Sequence, residues 1–204
     1  MISKVENISE EQLNKIKVLV GEAFVTNELF YNWGTTAERR EDVMKYMAIY
    51  VDYVYHAGEL YANEDLTGFI GLEDSENAHK FLQVKMLLRM LTGIRFSRLK
   101  SLVGFAKQIG RSNVRYAKQR HLDTLMVCVD REYQGRGIAS ELVAYAKNLS
   151  DELQIPLLFD TDMIEYAQMY QHLGCELYNK ITADNGVTRY SLCYDKRFCG
   201  EISF

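Results

Sequence analysis

The sequence predicts an α/β chain whose sheet is mixed, in the α+β manner, with helices flanking it. Three observations carry that prediction. Two hairpins are legible: Glu59–Ala62 with Leu66–Leu72 around Asn63-Glu-Asp65, and Cys175–Thr182 with Val187–Tyr194 around Ala183-Asp-Asn-Gly186. Between them an apolar strand, His121–Asp130, runs through a glycine turn into a helix and on to a further strand, Ile155–Asp160. A helical insertion at about 75–118 precedes that central strand.

The elements follow in order. Ile2–Ile8 reads as a short first strand. Ser9-Glu-Glu-Gln12 is a capping box, because the Ser9 hydroxyl can accept from the helix while Gln12 reaches back. The helix it opens places Leu13, Ile16, Leu19, Val20 and Ala23 at helical spacing. An aromatic loop, 27–34, leads to a second helix from Thr35 or Thr36 to about His56. That helix carries an aliphatic stripe (Val43, Met47, Val51, Val54) and a tyrosine stripe (Tyr46, Tyr50, Tyr53), and Gly58 stops it. The insertion breaks near Thr92-Gly93. The helix after the glycine turn runs to about Leu153, and a last helix, Met163–Leu173, ends at Gly174. No internal repeat is visible, and one domain, 1–204, is expected.

Composition narrows the function classes. Apolar residues make up 48% of the chain, enough for a sizeable core. No run of roughly 18 apolar residues occurs, so neither a membrane span nor a membrane partner is expected. The first residues do not read as a signal peptide. Four cysteines (Cys128, Cys175, Cys193, Cys199) lack metal-ligand spacing. No metal is therefore expected, and buried reduced thiols fit a cytoplasmic protein. The net charge of −4 is unevenly spread: Asn77 to Leu122 holds eleven Lys and Arg and no Asp or Glu. That segment is either a solvated basic face against an acidic body or an attractor of an anionic acceptor or coenzyme phosphates. Nucleic-acid binding is a third reading of the segment and the least favoured, because no groove-reading motif or aromatic stacking pattern accompanies it.

The central stretch is Val127-Cys-Val-Asp-Arg-Glu-Tyr-Gln-Gly-Arg-Gly-Ile-Ala-Ser140. The first amides of a helix lack intrahelical partners and carry the positive end of its dipole, and glycines let the backbone approach a phosphate. A Walker A loop is excluded, because no Gly-Lys-Ser/Thr follows. Gly135-Arg-Gly137 begins a dinucleotide fingerprint, but Ser140 stands where its third small residue belongs. Asp160 ends the next strand at a tolerable distance, so spacing alone leaves a dinucleotide open.

Gln134-x-x-Gly137-x-Ala139 after Val127-x-Val129 resembles the acetyl-coenzyme A signature of the GCN5-related N-acetyltransferases (GNAT). The resemblance implies the GNAT acyl-CoA N-acyltransferase fold, with 75–118 as an addition to the family's minimal core. It implies acetyl-CoA as co-substrate, its pantetheine arm paired along Val127, Cys128 and Val129. The pyrophosphate would lie on the turn that follows Gln134, on the amides of Gly135, Arg136, Gly137, Ile138, Ala139 and Ser140, with the Arg136 side chain as a phosphate partner. Tyr166-Ala-Gln-Met-Tyr170-Gln-His-Leu-Gly174 is similar to the family's Ala-x-x-Tyr-x-x-x-Gly-Phe stretch, which makes Tyr170 the acid for the departing thiolate. Two positions depart from the family: Met163 where many members have a coenzyme-binding asparagine, with Asp162 as a substitute, and Cys175 in place of an aromatic.

The implied reaction is direct attack of a neutral amine on the thioester, with Cys128 a packed strand thiol rather than a nucleophile. For the base, Asp160 and His121 are favoured over Asp123 and Glu73, all polar residues in or at the ends of strands. Tyr31, Trp33, Tyr50 and Tyr53 are candidates to line the acceptor pocket, although such stripes commonly belong to a core. The acceptor is a small-molecule or peptide amine, and a homodimer stays open. The competing reading is a non-catalytic acyl-CoA-binding sensor or regulatory module.

Overall fold

The structure, a computed structural model, describes residues 1–110, 115–116 and 118–197, the Phe105 side chain excepted. Cys199 and one of the eleven basic residues between Asn77 and Leu122, Arg111, lie outside the described residues. Among the described residues seven strands form one sheet: β1 (Ile2–Lys4), β2 (Leu60–Asn63), β3 (Gly68–Asp74), β4 (Leu122–Val129), β5 (Leu157–Thr161), β6 (Glu176–Thr182) and β7 (Thr188–Tyr194). Their spatial order is β1-β2-β3-β4-β5-β7-β6, and every neighbouring pair is antiparallel except β4 with β5.

Helices cover both faces. On one side lie α1 (Glu10–Phe24), α2 (Thr36–His56), α3 (Lys80–Gly93) and α4 (Phe96–Ile109). On the other lie α5 (Ile138–Leu153) and α6 (Ile164–His172). Phe69 of β3 enters the first core and Ile70 the second, the period-two alternation of a sheet buried on both faces. The capping boxes of α1 and α2 form as the sequence requires: the Ser9 hydroxyl accepts from the Gln12 amide at 3.2 Å, and Thr35 pairs with Glu38 in the same way.

Several boundaries differ from the sequence expectation. The first strand stops at Lys4 rather than Ile8; its pairing with β2 runs from Ile2↔Asn63 to Lys4↔Tyr61, and the Val5 amide makes one more bond, to the Leu60 carbonyl at 2.8 Å. The insertion is helical to Ile109, with its break at Ile94-Arg95, one residue beyond the glycine. Ala23, expected in the core, is exposed beside the central cleft.

Two irregularities of the sheet create that cleft. β4 pairs with β5 only at Leu122↔Leu157, Asp123↔Leu158 and Thr124↔Phe159, and beyond Thr124 the two strands part. β4 stays paired with β3 up to Val129↔Gly68, so its other edge is left open over Leu125–Val129. The second irregularity is a β-bulge: Gly71 opposes Met126 and Leu72 opposes Thr124, which leaves Leu125 as the extra residue. The bulge inverts the alternation of β4. Leu122 belongs to the α5 side, whereas Met126 and Cys128 belong to the α1–α2 side.

Candidate active site

The cleft between β4 and β5 encloses about 780 Å³. Its floor is β4 from Asp123 to Val129, one wall is the glycine turn with the first turn of α5, and the opposite wall is the end of β5 with α6. Tyr46 and Tyr50 of α2 and Leu29 close the far end. Leu29 also packs against the small cluster of Ile109, the last residue of α4, and Ala183, so the helical insertion bears on that end of the cleft.

The turn is built for an anion. Gly135 and Gly137 have φ of +76° and +85°, which side-chain-bearing residues adopt at a cost, and a Cβ at either would meet nothing within 4 Å. Gly137 is the N-cap of α5, and no side chain caps the helix. The orphan amides at its start therefore face open space where a phosphate can approach. A third glycine lets the parts meet: a Cβ on Gly68 would stand 2.3 Å from Ile138, so β3 and the start of α5 can touch only because residue 68 has no side chain.

The open edge of β4 is held by side chains at both ends. The Tyr50 hydroxyl donates to the carbonyl of Leu125, the bulged residue, at 3.1 Å. Gln134 Nε2 donates to the carbonyl of Val129 at 3.2 Å. Between them no strand of the described residues occupies the β5-facing edge, which leaves a place for an extended amide-bearing ligand to pair. The Thr124 hydroxyl is buried at the fork with no hydrogen-bond partner among the described residues, so a bound group or water there would satisfy it.

Among the described residues, four Asp, Glu, Lys or Arg side chains line the cleft: Asp123, Asp160, Asp162 and Arg189. Arg189 of β7 holds Asp162 in a fork, Nε to Oδ1 at 2.6 Å and Nη2 to Oδ2 at 2.9 Å, and its Nη1 stands 3.7 Å from Asp160. Asp160 also accepts from the Ser191 hydroxyl at 2.6 Å. Burial pushes the Asp123 carboxyl above the ordinary range; the charge of His121 opposes this and that of Asp160 adds to it. His121 Nε2 lies 3.2 Å from Asp123, and its Nδ1 meets the Gln119 carbonyl at 2.7 Å. Tyr170 is buried, stacks on Phe159 with ring centroids 4.4 Å apart, and reaches the cleft. Burial raises its phenol well above the usual range, so it stays protonated.

Of the ten residues that the coenzyme signature implies, nine line the cleft: Val127, Cys128, Val129, Gln134, Gly135, Gly137, Ile138, Ala139 and Ser140. The Arg136 side chain instead donates to the Glu132 carbonyl and lies over the Tyr133 ring. Of the expected catalytic residues, Tyr170 and Asp160 line the cleft, while His121 stands behind Asp123. Only Tyr50 of the four aromatic candidates reaches it. Trp33 is drawn into the core by Phe30 and Tyr46, with its N–H donated to the Arg98 carbonyl at 3.1 Å. The Tyr53 hydroxyl goes to the buried Glu73 carboxylate, and Tyr31 lies at the surface under Arg39. Asp162 is committed to Arg189, and Met163 is the uncapped N-cap of α6. Sequence reading missed Arg189, which had no neighbouring motif to mark it, and it passed over Tyr46 as part of a stripe. Among the described residues no group of three His, Cys, Asp or Glu side chains could hold a metal ion.

Comparison with known proteins bears on the domain and the fold. The Acetyltransferase (GNAT) domain family matches residues 98–176. No curated protein matches the chain in sequence. Among solved structures, an N-acetyltransferase from Staphylococcus aureus is 18% identical, with 95% of this chain and 100% of that one covered and a TM-score of 0.58. Arylalkylamine N-acetyltransferase 2 from Aedes aegypti is 13% identical, with coverages of 96% and 98% and a TM-score of 0.61. The histone acetyltransferase HPA2 and related acetyltransferase from Corynebacterium glutamicum is 12% identical, with coverages of 96% and 95% and a TM-score of 0.61. At these identities the likeness is one of fold.

Proposed function

Starting from a chain that carries a GNAT acetyltransferase domain in the GNAT fold, we propose that it transfers an acetyl group from acetyl-CoA to a primary amine. The observation that carries this is the splayed β4–β5 pair leading into an open, side-chain-free helix N-terminus. One end suits an extended amide chain and the other a diphosphate. Bound acetyl-CoA would supply an activated thioester carbonyl; what remains is to deprotonate the acceptor and protonate the thiolate.

Asp123 is the base in this reading. It lines the cleft, and a carboxyl of raised pKa is a better proton acceptor near neutrality than an ordinary one. His121 fixes its orientation as a positioning residue. Asp160, which the sequence favoured, has its carboxylate engaged by Ser191 and Arg189, and its charge adds to the negative potential that raises Asp123. Tyr170 donates the proton to the thiolate. Cys128 takes no covalent part: burial pushes its thiol up to about 12, leaving almost no thiolate.

Three carboxylates against one guanidinium give the cleft a negative balance, which favours an acceptor that arrives as an ammonium ion. Tyr46 and Tyr50 at the far end offer aromatic surface. Small amines that include arylalkylamines, the acceptor class named for the mosquito relative, are therefore the first to test. The experiment is a thiol-release assay with acetyl-CoA and a panel of aliphatic, aromatic and peptide amines. Turnover with any amine supports the reading. Coenzyme binding with no turnover across the panel favours the non-catalytic acyl-CoA-binding module.

A further inference from the structure

Helix α3 has two apolar faces. Leu82, Met86 and Met90 pack into the core beside α2. Phe81, Val84, Leu87, Leu88 and Leu91 are exposed, Phe81 at 81% of full accessibility. At 3.6 residues per turn these five occupy about a third of the circumference, opposite the buried face. Helix α4 adds exposed Phe96 and Val103 on one side, in line with Lys100 and Lys107. Large apolar side chains grouped in this way on a surface mark a contact site.

The charges divide by residue type. Arginines tie the two helices to the body: Arg89 pairs with Asp52, and Arg95 and Arg98 pair with Asp42. Lys80 and Lys85 of α3 and Lys100 and Lys107 of α4 are exposed, with no carboxylate partner among the described residues. No acidic residue occurs from Asn77 to Leu122. A two-fold pairing of this face with a second copy would set lysine against lysine with no carboxylate to answer them, which disfavours that occupant. An apolar stripe bordered by uncompensated lysines instead matches an anionic bilayer: the side chains enter the headgroup–acyl boundary and the ammonium groups meet phosphates.

We propose that the α3–α4 face docks the protein onto anionic lipid surfaces, independently of the chemistry in the cleft. The expectation of no membrane partner rested on the lack of a long apolar run, which bears on crossing a bilayer and not on lying against one; no described helix is long and apolar enough to cross.

The test is flotation of the whole protein with phosphatidylcholine vesicles holding about one third phosphatidylserine, against pure phosphatidylcholine, at low and high salt. Binding to the anionic vesicles alone, weakened by salt, is expected. Each lysine near such a surface contributes about fivefold, so K80Q/K85Q, which removes two charges, should weaken binding ~25-fold. F81S/L88S should abolish it, and since all four positions are exposed, both variants should melt where the parent does. Failure to float at low salt, or flotation unchanged by F81S/L88S, overturns the proposal. So does a dimer in light scattering that F81S/L88S dissolves, which would give the face to a second copy.

Discussion

Two glycines with the same backbone strain separate the role of the turn from its conformation. Gly137 and Gly186 both have φ of +85°, and at both a Cβ would meet nothing within 4 Å. Only Gly137 lines the cleft and opens α5; Gly186 sits in the β6–β7 hairpin. Gly→Ala at either position therefore imposes a left-handed conformation on a residue with a Cβ and no other clash, at about 1–2 kcal/mol. For a chain of this size that lowers the melting midpoint by roughly 2–8 °C in both variants. The variants should part on adding acetyl-CoA. The Gly137→Ala methyl group stands where a phosphate would approach the helix amides, and loss of one hydrogen bond to a charged group costs about 1.5–3 kcal/mol. Acetyl-CoA should thus bind ~10- to 150-fold more weakly to Gly137→Ala and unchanged to Gly186→Ala. Differential scanning fluorimetry over a coenzyme titration reads both quantities. Equal coenzyme affinity in the two variants would refute the placement of the phosphates at α5.

Three further outcomes follow from the same geometry. Tyr170→Phe keeps the ring on Phe159 and removes the proton donor, so kcat should fall ~10²-fold or more with coenzyme affinity unchanged; unchanged turnover with chemistry rate-limiting would remove Tyr170 as the acid. For Asp123, burial raises the folded-state pKa above the unfolded one. Its contribution to stability is then complete in acid, below the unfolded value, and is lost as pH rises through the folded value. Asp123→Asn should accordingly melt higher than the parent at neutral pH and alike in acid, while turnover falls ~10²- to 10⁴-fold and the parent's rate climbs with pH as the carboxyl ionises. Tyr50→Phe loses the hydrogen bond to the bulged Leu125, which should cost about 1 kcal/mol, read as a midpoint lowered by roughly 2–4 °C.

The parts legible in the sequence are those governed by local chemistry. Ser9 with Gln12 and the Ala183–Gly186 turn act within a few residues of themselves, and both form as read. So does the glycine turn, whose φ values above zero only glycine adopts freely. The features that were not legible depend on partners far along the chain. The Leu125 bulge is visible only against β3, and it alone inverts which side of the sheet Met126 and Cys128 face. Arg189 joins the cleft from β7 because Asp160 and Asp162 wait there on β5 and beyond it. The tyrosine stripe of α2 divides on contacts no spacing reveals: Tyr46 and Tyr50 face the cleft, while Tyr53 turns to Glu73, 20 residues away in sequence.

The most direct measurement is the melting midpoint of the unmodified protein with acetyl-CoA, and with NADH in parallel because a dinucleotide was open on spacing alone. Coenzyme at about 100 times its dissociation constant adds roughly 2.7 kcal/mol to the folded state, which at this size is a rise of about 5–10 °C. A rise of that order with acetyl-CoA and none with NADH is the predicted result. No rise at millimolar acetyl-CoA, or a rise with NADH alone, would contradict the assignment of the β4–β5 cleft to the coenzyme.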